Sequence, residues 1–215
     1  MFELTRFPNL SAAGRLLAPE LIEPANMPDS IVLGIALAGV PVAREVANLL
    51  RAPLDLILIR RLLIGNESRS HLCAVDVAGS LVLDDGISLS DSPSTPLEHF
   101  LSDAVADLRN RQRLCRREQA PVNLSERRVI VVDCGIRTGS TMKAAARALR
   151  QLKAGRIIGA VPISSREGYA EVAPLFDDFV CLLQPEEFIN AGYWFVDFSR
   201  PGDAEVGELL RGLSH

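Results

Sequence analysis

Thirteen consecutive residues, Val129-Ile130-Val131-Val132-Asp133-Cys134-Gly135-Ile136-Arg137-Thr138-Gly139-Ser140-Thr141, narrow the fold more than any other stretch of the chain. The four apolar residues that open it read as a strand in the middle of a sheet, buried on both faces. An acid stands at the carboxyl end of that strand, and a turn of small residues then opens a helix. In open α/β sheets ligands bind beyond the carboxyl ends of the strands. The amides at a helix N-terminus point outward, and the helix dipole favours an anion there. Gly139 allows a close backbone approach, Thr138, Ser140 and Thr141 add hydroxyl donors, and Asp133 is placed to accept from sugar hydroxyls. The pattern suits a terminal phosphate, and it equally suits a plain strand–turn–helix junction with a capping hydroxyl. Neither G-x-x-x-x-G-K-[ST] nor G-x-G-x-x-G occurs here.

The rest of the chain alternates apolar runs with helical patterns, the signature of a parallel sheet covered by helices. Strands are predicted at 30–37, 54–59, 129–132, 157–162 and 179–183, and helices at 9–22, 40–50, from 93–96 to about 117, at 142–152, 167–175 and 203–213. Pro41 is expected in the first turn of its helix. Residues 60–70 are dense in Arg, Gly, Asn and Ser and read as a loop, followed by a hairpin of 72–77 with 80–84 around Ala78-Gly79.

With 215 residues, 48% apolar and 23% charged, the chain has the composition of one globular α/β domain spanning 1–215. A net charge of -4 gives no general pull toward nucleic acid or membrane. No apolar run reaches the ~20 residues a spanning helix needs, and the first residues lack a signal-peptide pattern. The four cysteines form no C-x-x-C pair; Cys134 and Cys181, in or beside apolar runs, read as small buried hydrophobes of a reducing compartment, so the cytoplasm is expected. Five arginines at 109, 111, 113, 116 and 117 fit a solvated helix face better than a nucleic-acid contact.

The 129–141 stretch resembles the phosphoribosyl diphosphate motif of type I phosphoribosyltransferases: four hydrophobic residues, two acids, then small residues ending in T-G-x-T. Asn9 to Ala18, Gly39 to Ala47, Ala52 to Asp55, Arg113 to Arg117 and Gly192 to Phe198 are similar to an uncharacterised bacterial branch of that family. The resemblance implies a mainly parallel sheet flanked by helices, with a small hood from about 184–200 plus the N-terminal segment. It implies transfer of a 5-phosphoribosyl group from phosphoribosyl diphosphate to a nitrogenous base, with Mg²⁺, in a homodimer. Asp133, Cys134, Gly135, Arg137, Thr138, Gly139, Ser140 and Thr141 would hold the phosphoribosyl group, with Asp133 and Arg137 nearest the chemistry. Ala38 and Gly39, in a turn after the first strand, would face the diphosphate. Residues 61–71 would be a loop closing over the site, Trp194 or Phe195 would stack on the base, and Asp197 would touch the metal.

Three positions depart from the family pattern. Cys134 replaces the second acid, and a neutral thiol is a poor acceptor for a ribose hydroxyl. Arg137 stands where purine-using members carry an acid, and a guanidinium takes no proton, although it suits phosphate or an acidic substrate. Leu37-Ala38-Gly39 replaces Arg-Gly-Gly. These departures keep a second reading open, a non-catalytic protein that binds a ribose 5-phosphate-containing nucleotide or regulates through RNA.

Overall fold

The computed structural model describes residues 6–25, 29–66, 69–76, 81–83, 94–116 and 122–211. Helix α1 (Leu10–Leu17) starts where the Asn9 side chain accepts from the Ala12 amide, and runs through a 3₁₀ turn (Ala18–Leu21) into α2 (Ile22–Ala25). There follow β1 (Ser30–Ile35), α3 (Ala36–Leu50), β2 (Leu54–Ile57), β3 (Ile59–Asn66), β4 (Arg69–Asp76), β5 (Leu81–Leu83) and α4 (Ser94–Arg116). The second half is β6 (Arg128–Val132), α5 (Ser140–Gln151), β7 (Arg156–Ile163), α6 (Arg166–Val172), β8 (Asp178–Leu183), a 3₁₀ turn (Ala191–Trp194) and α7 (Asp203–Arg211).

Five strands form one parallel sheet in the order β2-β1-β6-β7-β8. Successive side chains of a strand face opposite ways, so the nearly all-apolar central strands feed two cores. Val32, Ile130, Val132, Ile158 and Ala160 pack toward α1, α3, α4 and α7. Ile31, Leu33, Val129, Val131, Ile157 and Val161 pack toward α5 and α6. The strand order reverses between β1 and β6, and a crevice at such a switch point is where this architecture takes its ligands.

Two expectations are corrected. Residues 60–66 and 69–70 are strand rather than loop: β3 and β4 pair antiparallel in register from Ile59↔Asp76 to Asn66↔Arg69. Leu62, Leu63 and Ile64, opposite Cys73, Leu72 and His71, carry enough strand-forming character to outweigh the Arg, Gly and Ser around them. β5 then pairs with β4 as expected, Cys73 opposite Leu83, while Ala78 and Gly79 lie outside the described residues. The helix predicted at 40–50 begins at Ala36, so Pro41 sits inside it rather than in its first turn. Proline has no N–H to give the carbonyl four residues back, so α3 forgoes one bond at Leu37 and keeps the rest.

Candidate functional site

Both segments that leave the sheet at the switch point become helix N-termini. β6 ends at Val132, and residues 133–139 cross to α5. β1 ends at Ile35 and enters α3 directly. Neither helix start has a side-chain cap: the residue before α3 is Ile35 and the one before α5 is Gly139. A helix start leaves several amides without intrahelical partners. In both helices the residue at the N-cap makes no side-chain hydrogen bond to them.

The turn is shaped by contacts with α6. Gly139 has φ of 78°, the left-handed region, and a β-carbon there would lie 2.1 Å from Cγ2 of the fully buried Val172. Ser165 anchors the other side. Its amide donates to the Ile136 carbonyl at 2.9 Å, and its hydroxyl donates to the Arg137 carbonyl at 2.6 Å while accepting from the Gly168 amide. A β-carbon on Gly168 would meet the Arg137 carbonyl at 2.4 Å. Ser165 and Gly168 are therefore part of the site's frame. Their only sequence signal is a serine capping a short helix, and α6 carries no motif residue.

Within the turn, Ser140 and Gly139 are buried, Thr141 is half-buried, and Thr138 and Arg137 are exposed. Arg137 presents its guanidinium to solvent, and only its carbonyl is held by the protein among the described residues. Asp133 is half-buried; its amide donates to the Ala160 carbonyl at 3.2 Å, and its carboxylate accepts from the Cys134 amide at 2.7 Å. The Cys134 thiol is pushed well above its ordinary range, first by burial and then by the Asp133 charge, with Arg200 pulling the other way. Cys134 is thus a protonated thiol that donates toward Asp133 rather than a second acceptor. Gly135 lies under the hood: a β-carbon there would meet Ala191 at 2.9 Å.

Ala36 to Gly39, expected as a turn facing diphosphate, is the first turn of α3. Ala38 is half-buried against the core. Gly39 is explained by packing, since a β-carbon there would meet the Val132 carbonyl at 2.7 Å and the Asp133 α-carbon at 3.3 Å. That contact sets the start of α3 against the end of β6.

The hood is tied to the N-terminal segment. Phe7 donates to the Trp194 carbonyl at 2.7 Å, and Val196 donates back to Phe7 at 2.8 Å. Phe195 is 1% exposed, its ring 5.3 Å from Phe7 and 5.1 Å from Phe198, so it has no face open to a base and is a core residue. Trp194 is half-buried, and its Nε1–H is buried without an acceptor among the described residues. Asp197 is exposed and accepts from the amide and hydroxyl of Ser199, which hold its carboxyl below the usual range. It lines a groove with Asn9, Arg44 and Arg200, which no residue of 138–141 lines. The arginines of α4 are dispersed: Arg111 pairs with Asp203 and Arg116 with Asp55.

The phosphoribosyl transferase domain model matches residues 3–193. The chain belongs to the phosphoribosyl transferase family. Mycobacterium tuberculosis proteins named provisionally as phosphoribosyl transferases are 34% identical over 209 residues, which is 95% of this chain and 46% of theirs. The chain therefore spans about half the length of the curated relatives it matches. The crystal structure of TT1426 from Thermus thermophilus is 32% identical, superposes with a TM-score of 0.82, and is covered over 98% of this chain and 100% of that one. A Neisseria gonorrhoeae protein crystallised with bound ppGpp shares the fold at 15% identity and a TM-score of 0.51, over 94% of this chain and 92% of that one. The type I phosphoribosyltransferase architecture expected from the 129–141 motif is the one observed. No helix among the described residues is long and apolar enough to cross a membrane.

Proposed function

We propose that this phosphoribosyl transferase domain moves a 5-phosphoribosyl group from phosphoribosyl diphosphate to a ring nitrogen of a base. One observation carries the reading: the N-termini of α3 and α5, both without side-chain caps, flank the crevice between β1 and β6. The substrate is a sugar with a phosphate at one end and a diphosphate at the other, and two anion-favouring helix starts match its two charged ends. In this reading the amides and hydroxyls of 138–141 hold the 5-phosphate, Asp133 accepts from the ribose hydroxyls, and the start of α3 faces the diphosphate.

The bond from the sugar carbon to the diphosphate oxygen breaks and a bond to the base nitrogen forms. The sugar passes through an oxocarbenium-like state of the charge type met in glycoside hydrolysis. The electron pair leaves on diphosphate, where the α3 amides and dipole stabilise it. The proton of the base nitrogen goes to water, because Arg137 accepts none. The exposed Arg137 guanidinium grips phosphate or an acidic substrate group.

No group of three or more metal-ligating side chains occurs among the described residues. Mg²⁺ at a phosphate-transfer site is held by substrate phosphates and water with one or two carboxylates rather than by a protein cage. Asp133 is the carboxylate at the turn; bound there, the ion would neutralise charge on the leaving diphosphate. A cytoplasmic homodimer completes the proposal, and sedimentation at micromolar concentration tests the dimer.

The deciding experiment measures diphosphate release with Mg²⁺ across a panel of purine and pyrimidine bases. Base-dependent release is expected; no release with any base at high protein concentration rules out transfer. The buried protonated Cys134 favours a second reading, binding without turnover. Calorimetry showing tight binding of the donor alongside zero release would select it.

A further inference from the structure

Helix α6 is fastened to the turn between β6 and α5 at both of its ends. At its start, Ser165 holds the Ile136 and Arg137 carbonyls. At its end, Val172 packs on Gly139 so closely that no side chain fits there. Beside Val172, Glu171 Oε2 accepts from Lys143 Nζ at 2.6 Å. The Lys143 amide in turn donates to the Gly139 carbonyl at 2.8 Å. Gly139, Lys143, Glu171 and Val172 thus close a ring of contacts across two helices, with the glycine of the turn as one member.

Lys143 is out of place by the usual rules. It is the fourth residue of α5, near the helix end where the dipole disfavours a cation. Its neighbours Met142, Ala144, Ala145 and Ala146 are apolar and buried. The Lys143 side chain is itself only 11% exposed, against 57% for Glu171, so the ammonium is largely taken out of water. Burying a charge is costly, and an apolar residue would fill the space at less cost. What the ion pair adds is a short, directed bond between the two helices. Arg150–Asp177, at the far end of α5, makes the contrast: both partners reach solvent, as in an ordinary surface pair.

We propose that Lys143 and Glu171 are positioning residues for the 5-phosphate. Their bond sets how closely α6 approaches the start of α5, and through Val172 it sets the path of Gly139 and the aim of the amides that follow. The inference rests on the proposed reading of residues 138–141 as the phosphate grip. A carboxylate acting by charge alone would repel a phosphate, so the effect of Glu171 as a tie has the opposite sign to its effect as a charge.

The test measures ribose 5-phosphate binding to the full chain by calorimetry, with nitrogen–proton spectra of residues 139–142. Lys143→Met leaves no charge behind in the interior. It should move these amide signals before any ligand is added and weaken binding about tenfold or more, because small misplacements of a binding group are that costly. Glu171→Ala, a change at an exposed side chain, should weaken binding as well, although it takes a negative charge away from the turn. Arg150→Met cuts the ion pair at the far end of the same helix and should leave both affinity and signals unchanged. The inference fails if Lys143→Met binds as tightly as wild type, if Glu171→Ala binds more tightly, or if Arg150→Met weakens binding as much. Wild type that binds no ribose 5-phosphate refutes the reading of the turn and this inference together, whereas equal binding by wild type and Lys143→Met refutes this inference alone.

Discussion

Replacing Gly139 by alanine probes how the 138–141 turn is held. Two costs follow from its position. At φ of 78° an alanine carries the left-handed penalty of about 1–2 kcal/mol. Its β-carbon would also lie 2.1 Å from Val172 Cγ2, far inside van der Waals contact, and Val172 is fully buried, so it cannot swing into solvent. Overpacking of this kind costs about 1–3 kcal/mol. Together they predict a loss of about 2–5 kcal/mol, and a fall in melting temperature of about 4–20 °C for a chain of this size. The assay is thermal and urea unfolding of wild type, Gly139→Ala, Val172→Ala and the double variant. Val172→Ala removes the clashing methyl, so the double variant should be more stable than the sum of the singles by about 1–3 kcal/mol, leaving the backbone penalty in place. A Gly139→Ala protein as stable as wild type would refute the reasoning, and so would strict additivity.

Asp55→Ala strands the buried Arg116 charge and should cost about 3–5 kcal/mol in urea unfolding, most of it recovered by Asp55→Leu with Arg116→Met; an unaltered Asp55→Ala protein would contradict this. Burial raises the thiols, that of Cys115 to about 11 and of Cys181 to about 12, and holds Cys134 high as well. Iodoacetamide at pH 8 should thus leave all three unmodified in the native protein and alkylate them in urea, as peptide mapping would show. Asp177 is held below its ordinary value of 3.8, chiefly by the Arg150 side chain. A depressed carboxylate stabilises the fold above that value and ceases to as the pH falls through its folded value. The stability gap between wild type and Asp177→Asn should therefore narrow below pH 3.8, and a gap that widens in acid would be contrary.

The parallel sheet was legible because its central strands are nearly continuous apolar runs, as burial on both faces requires. The turn between β6 and α5 was legible because Asp133, Gly139 and the hydroxyl residues are contiguous. What escaped was set by long-range contacts. Nothing local marks Ser165, yet it holds the Arg137 carbonyl from 28 residues away. Gly39 looked like a ligand-facing glycine, but the neighbouring strand β6 leaves no room for a side chain. Phe195 looked as available to a base as Trp194, and pairing with Phe7 buried it. The β3–β4 hairpin was hidden because its strand-forming residues are interleaved with polar ones that local reading weights toward a loop.

The amides of residues 139–142 report most directly on whether this turn is an anion cradle. Nitrogen–proton spectra recorded while ribose 5-phosphate is added should show these signals moving together and saturating, with the shifts lost in Gly139→Ala. Signals that stay in place while ribose 5-phosphate binds elsewhere, or does not bind, would contradict the account.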